Sequence, residues 1–204
     1  MEESKAIDRD KERIILEAAQ KRFGHFGLGK TTMTEIATDV GMSKASLYYY
    51  YPDKEHLFFA VIQKEMNEFI SVVEDMLGVD ELASKKLKHY VAIRHDYFKK
   101  LVSLAKLGEH SLAAMKASFD VYKENLLKKE NELIRHIFQD GMKKGEFESF
   151  NAKLYADLFV ATLQGLRAAV IHKKALSEAK EEDYLLVEQY QKQITSIFIK
   201  SILK

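Results

Sequence analysis

Apolar residues recur along this chain at helical rather than strand spacing. Ile15, Ala18, Ala19, Phe23 and Phe26 share one face, which predicts an amphipathic helix from Asp10 to about Phe26, closed by Gly24 and Gly27. Ile36, Ala37 and Val40 form a second, shorter pattern behind the capping box Thr32-Met33-Thr34-Glu35. Gly41 stands where that helix must end, because glycine takes the left-handed conformation without steric cost. Ser43 caps a further short helix from Lys44 to Tyr50, with Leu47 and Tyr51 turned inward and Pro52 as its stop. From Asp53 a long helix runs to about Met76, with Leu57, Phe58, Val61, Ile62, Met66, Phe69 and Val73 on its apolar side, and Gly78 breaks it. Four longer patterns and one short one follow: Glu81 to Leu107, Ser111 to Ser118, Phe119 to Lys144, Asn151 to Lys174 and Glu181 to Leu203. Gly141 to Phe147 reads as a frayed end and turn. One proline and nine glycines leave little material for hairpins, so the expected fold is all-α. The expected domains are residues 1–54, a three-helix unit, and residues 55–204, a larger helical one, with the long helix as a rigid lever between them.

Two short helices joined by a glycine-containing turn make a helix-turn-helix, whose second helix fits the DNA major groove. Here that helix carries Lys44, lies in a stretch free of acidic residues from Val40 to Pro52, and presents four tyrosines, Tyr48 to Tyr51. Tyrosine hydroxyls donate to phosphate, and the rings pack on sugars or thymine methyls. Each tyrosine alone serves equally well as a core edge, and Tyr51 is expected in the core. The ordered series of cap, glycine turn and basic-aromatic helix is the stronger signal.

These residues resemble the tetracycline-repressor (TetR) family. Phe23, Gly27, Thr31-Thr32, Ile36-Ala37, Gly41, Ser43-Lys44, Leu47-Tyr48, Pro52-Asp53-Lys54-Glu55 and Leu57 fall on that family's signature, which covers roughly the first sixty residues. Ala45 departs from the usual glycine or proline, and Tyr50-Tyr51 from the usual histidine or tyrosine followed by phenylalanine. The resemblance implies that Ser43, Lys44, Ala45, Tyr48, Tyr49, Tyr50 and Lys54 contact DNA, with Thr32 and Thr34 at the helix end that meets phosphate. It also implies a homodimer paired through the last two long helices, a small-molecule effector held among the middle helices of the second domain, and a double-stranded DNA operator as partner.

Composition narrows the picture. A net charge of +1 argues against a protein that coats nucleic acid by bulk charge, so contact with DNA must come from local placement. From Arg13 to Lys54 six basic residues face four acidic ones, a small local excess, while the first dozen residues mix both signs and do not resemble a basic arm. The absence of cysteine excludes disulfides and thiolate metal sites and fits a cytoplasmic protein. No signal peptide and no membrane span are expected.

The second half offers two candidate surfaces. Leu158, Ala161, Thr162, Gly165, Ala168 and Ala169 form a small-residue stripe beside Leu166, and Leu186, Tyr190, Ile194, Ile197, Phe198 and Ile202 form another on the last helix. Faces this wide must be covered, by the chain's own core or by a second copy. Tyr90, Ile93, Tyr97, Met115, Phe119, Tyr122 and Phe159 mix large apolar bodies with hydroxyls, a composition that lines ligand pockets and ordinary helical cores alike. His89, His95, His110 or Arg94 could meet a polar group there.

Catalytic signatures are missing. The histidines have no i, i+4 partner for a metal and there is no nucleophile elbow, so no enzyme activity, cofactor or metal is expected. One pattern competes: Gly24 to Thr31, GHFGLGKT, fits the phosphate-binding loop G-x-x-x-x-G-K-[ST]. Such a loop needs a buried strand before it and a helix beginning at the lysine, and the preceding LEAAQKRF has helical periodicity instead. A nucleotide-binding protein is therefore the alternative reading, and a ligand-binding helical protein without DNA contact a further one.

Overall fold

The computed structural model describes the backbone of residues 2–106, 116–171 and 179–204, and the side chains of residues 8–101, 120–171 and 179–204. Eight helices are present among the described residues: α1 (Glu2–Phe26), α2 (Met33–Asp39), α3 (Lys44–Tyr50), α4 (Lys54–Leu77), α5 (Ala83–Lys106), α6 (Lys116–Lys143), α7 (Ala152–Ile171) and α8 (Glu181–Ile202). No strand occurs among them, and the all-α expectation holds. Residues 111–115 of the expected short helix and the side chains of Met115 and Phe119 lie outside the described residues, and Lys116, Ala117 and Ser118, read as its end, instead open α6. Helix α1 starts at Glu2 rather than near Asp10. Its early residues are good helix formers, and Arg13 pairs with Asp10 and Glu17 at helical spacing, so the helix needs no apolar face there.

The chain forms two compact units. One gathers the residues up to Asn67, and the other Glu68–Lys100 and Val121–Lys204; α4 supplies residues to both. In the first unit Ile15, Ala19 and Phe23 of α1 are buried together with Ile36 and Ala37 of α2, Leu47 of α3, and Leu57, Phe58 and Val61 of α4. The Phe23 and Phe58 rings meet edge to face at 5.2 Å. Polar ties supplement this thin core. Gln20 donates to the buried carboxylate of Glu65, which joins α1 to α4. Arg22 grips both oxygens of Asp39, one through Nε and the other at 2.8 Å, and reaches Glu35 at 3.4 Å, which joins α1 to α2.

In the second unit the core is built from Phe69, Val73, Leu87, Tyr90, Ile134, Phe138, Phe159, Leu163 and Ile199, among others. Two features there differ from the sequence reading. Gly141, read as the start of a frayed end and turn, lies inside α6, which runs on to Lys143. A methyl group at Gly141 would run into the Phe147 ring and lie 2.8 Å from Ala83 Cβ, so the glycine permits close packing rather than a turn. Phe147 is itself 1% exposed, and the true turn falls at Gly145, with φ of 76°. The second feature is the start of α5. Its first amides, of Ala83 and Ser84, donate to the Glu146 carboxylate at 2.6 and 3.1 Å, a cap supplied from far along the sequence. At 20 residues and a mean hydropathy of 1.3, α7 is long and apolar enough to cross a membrane. Its residues Ala156, Phe159, Val160 and Leu163 instead belong to the core of the second unit.

Two predictions follow from these contacts. Gly141→Ala should destabilise the protein by about 1–3 kcal/mol through overpacking, read as a lowered melting temperature. The second concerns acid. Arg22 holds the Asp39 carboxyl below its ordinary value of 3.8, and the Thr32 hydroxyl and amide hold Glu35 below 4.5. A lowered folded-state pKa stabilises the fold above the ordinary value, and the contribution is lost as pH falls through the lowered one. The melting temperature should therefore drop as pH falls below about 4, and Arg22→Met should flatten the part of that drop due to Asp39.

Candidate functional site

The helix-turn-helix is set by three local devices. At the entry of α2, the Thr32 hydroxyl accepts from the Glu35 amide at 3.3 Å, while the Glu35 carboxylate accepts from the Thr32 amide at 2.8 Å, completing the expected capping box. At its exit, the amide of Gly41 donates to the Thr38 carbonyl at 3.1 Å and that of Met42 to the Ala37 carbonyl at 2.9 Å. This is a Schellman closure, and it requires the left-handed φ of 65° that Gly41 adopts. At the entry of α3, the Ser43 hydroxyl accepts from the Ser46 amide at 3.1 Å.

These devices leave Leu47 fully buried and turn the rest of α3 outward. Lys44, Ala45, Ser46, Tyr48 and Tyr49 are exposed, Tyr49 most of all at 81%. The Lys44 ammonium lies 5.7 Å from the centre of the Tyr48 ring, and Tyr49 meets Tyr50 edge to face at 5.4 Å. No carboxylate belongs to this face of α3. Thr34 is exposed in the first turn of α2, and Lys54 is half-buried in the first turn of α4. The structure therefore brings the expected DNA-contacting residues onto neighbouring elements of one unit.

Three of them carry internal bonds as well. The Thr32 hydroxyl donates back to Glu35 at 2.8 Å, the Ser43 hydroxyl shares a 2.8 Å hydrogen bond with Ser46, and the Tyr50 hydroxyl donates to Asp8 at 3.0 Å. Asp8 was invisible as a partner because α1 was expected to begin after it. Tyr51, expected in the core, is half-buried at the end of α3, and burial pushes its hydroxyl up to about 12.

The nucleotide-loop match does not survive the geometry. Gly24, His25 and Phe26 are the last turn of α1, so the stretch opens on carbonyls at a helix C-terminus rather than on the amides of an N-terminus. The Thr31 hydroxyl donates to the Gly27 carbonyl at 2.8 Å and is buried, leaving it no role on a metal. Lys30 is exposed beside it.

In the second unit, Tyr90 and Phe159 of the expected pocket set are buried, and Ile93, Tyr97 and Tyr122 half-buried. The Tyr90 hydroxyl and the Arg94 Nε both donate to Glu130 Oε1 at 2.6 Å, a buried charged cluster whose glutamate member the sequence did not single out. Burial works against the Arg94 charge, and Glu130 more than offsets it. His89 is exposed and pairs with Glu81 at 3.2 Å, whereas His95 is buried, with no partner for Nδ1 among the described residues. His110 lies outside the described residues. An open groove of about 840 Å³ along Val72, Met76, Val79, Leu82 and Ile93 meets only Ile93 and His89 of the residues expected at a pocket. On α7 and α8 the expected pairing stripe is left on the surface: Leu158, Gly165, Ala169, Tyr190 and Ile197 are exposed, and Thr162, Leu166 and Ile194 half-buried. Ile202, read as part of it, belongs to the core instead.

Known proteins share this arrangement. A family profile described as "Bacterial regulatory proteins, tetR family" matches residues 15–61, the span from the first core isoleucine to the part of α4 packed in the first unit. A crystal structure of a transcriptional regulator from Cytophaga hutchinsonii is 40% identical, with a TM-score of 0.87 over 94% of this chain and 98% of that one. The HTH-type transcriptional repressor Rv1474c of Mycobacterium tuberculosis is 30% identical over 93 residues, 44% of this chain and 50% of that protein, so the match spans half of its length. The fatty acid metabolism regulator protein of Bacillus subtilis is 22% identical over 161 residues, 76% of this chain and 80% of that protein. The profile covers the helix-turn-helix and the regulator from Cytophaga hutchinsonii shares the fold over nearly the whole chain, and the chain belongs to the TetR family of bacterial transcriptional regulators.

Proposed function

We propose that the protein is a homodimeric, ligand-responsive repressor that reads a palindromic operator through α3. The observation that carries this reading is the exposed, carboxylate-free face of α3, with Lys44, Ala45, Tyr48 and Tyr49 outward and Leu47 buried beneath them. Lys44, Ala45, Tyr48 and Tyr49 contact base edges or adjacent sugars, and Thr32, Thr34, Ser43, Tyr50 and Lys54 position residues 1–54 on the backbone. A short recognition helix reads few bases, and pairing two of them across a two-fold axis doubles the contacts. The exposed apolar stripe of α7 and α8 supports that pairing, with Leu158 53% and Ile197 53% exposed on one chain. Residues 55–204 hold the effector, and its binding shifts α4 and alters the separation of the two recognition helices. Half-sites lie roughly 34–36 Å apart or a multiple of that, so a dimer favoured at another spacing releases the operator. The protein acts in the cytoplasm.

Two measurements test this. Lys44→Ala and Tyr49→Ala should each lower affinity for the DNA around the protein's own gene at fixed salt while leaving the fold and assembly unchanged. If both variants bind as the parent does, α3 is not the reading element. Leu158→Glu combined with Ile197→Glu should convert a dimer to a monomer in sedimentation, and an unaltered mass would place the interface elsewhere.

A further inference from the structure

Among the described residues of the second unit, a half-buried arginine stands near the Arg94–Glu130 pair without a carboxylate of its own. Glu130 is committed twice over, to the Tyr90 hydroxyl and to Arg94, both at 2.6 Å on the same oxygen. Arg167 of α7 senses the charges of Arg94 and Glu130 but bonds to neither, and it has no hydrogen bond or ion pair among the described residues. Its guanidinium lies instead 4.1 Å from the centre of the Phe98 ring. Stacking on a ring offsets only part of what taking an ion out of water costs. Burial, and then the charge of Arg94, accordingly press the Arg167 guanidinium down to about 10, which still leaves it charged at neutral pH. Its N–H donors, arranged as a planar fork, are free for an acceptor among the described residues.

We infer that Arg167 anchors an organic monocarboxylate whose apolar tail lies among the aromatic side chains of the second unit. Two cations and one carboxylate leave a single positive charge in excess, so one carboxylate closes the balance where a phosphate dianion would overshoot it. The guanidinium fork matches a carboxylate in a bidentate fashion, and an ammonium or quaternary amine would be repelled. The contacts suit a tail rather than a second polar group: the guanidinium lies against the Phe98 ring, and Tyr90, which shares Glu130 with Arg94, stands 6.3 Å from Phe159. This assignment rests on the reading of the second unit as the effector-binding part.

The experiment uses the full chain and straight-chain carboxylates from hexanoate to hexadecanoate, each beside the primary alcohol and primary amine of equal length. Thermal shift and operator release are recorded together. At least one carboxylate should raise the melting temperature well beyond its alcohol, and the amines should not. Arg167→Met should weaken carboxylate binding by about ten- to a hundredfold, the worth of a charged hydrogen bond, while the alcohols act as before. Arg167→Lys, which keeps the charge and loses the fork, should fall between, and it serves if the methionine variant does not fold. Equal shifts from every acid and alcohol pair, or a carboxylate preference that survives Arg167→Met, would overturn the assignment. Carboxylate binding without operator release would leave Arg167 as the anchor and remove the effector reading. Release by neutral ligands with no carboxylate preference would do the reverse.

Discussion

A helix of seven residues does not hold itself together in water, since isolated helices shorter than about 12–15 residues are marginal even for favourable sequences. Everything this protein does with α3 depends on that constraint. The helix exists because Leu47 is fully buried in the first unit, because Ser43 closes its entry, and because Gly41 brings the chain out of α2 in the required direction. Burial of one leucine is worth roughly 2–3 kcal/mol, comparable to the caps at both helix entries together. The outward face is thereby relieved of any structural duty, and lysine and tyrosines can occupy it.

Charge is handled differently in the two units. In the first, ionic contacts lie at the surface and join helices that share little apolar area: Arg22 spans from α1 to Asp39 and Glu35. Such exposed pairs contribute little individually, and their use is to fix the angle of α2. In the second, Arg94, Glu130 and Tyr90 are removed from water, and there the cost of an unmatched charge is large. A cluster of this kind gives the interior a sign, which an all-apolar core of equal volume would lack.

Much of the first unit was legible in the sequence because its determinants are local. Thr32 and Glu35 sit three residues apart, Gly41 follows its helix directly, and Ser43 precedes the next. The apolar face of α4 was readable from periodicity for the same reason. What escaped were contacts between residues far apart in the chain. Gly141 read as part of a frayed end and turn because its role is set by Phe147 and Ala83. Glu130 and Asp8 were unremarkable acids until Tyr90 and Tyr50 were placed beside them. On α8 the buried face includes Gln191 and Thr195, two polar residues at helical spacing with Tyr184, Val187 and Ile199. Gln191 is accommodated because its amide donates to the Leu163 carbonyl at 2.8 Å, and Thr195 because its hydroxyl bonds back to Gln191.

The remote cap on α5 bears on how the chain is made. Ala83 and Ser84 leave the ribosome well before Glu146 does, and the residues between them include all of α6 up to Lys143. Throughout that interval the start of α5 has bare amides that only solvent can satisfy. A nascent chain stalled ahead of Glu146 thus carries a helix with an open end, and translation must pass that codon before the bundle can close.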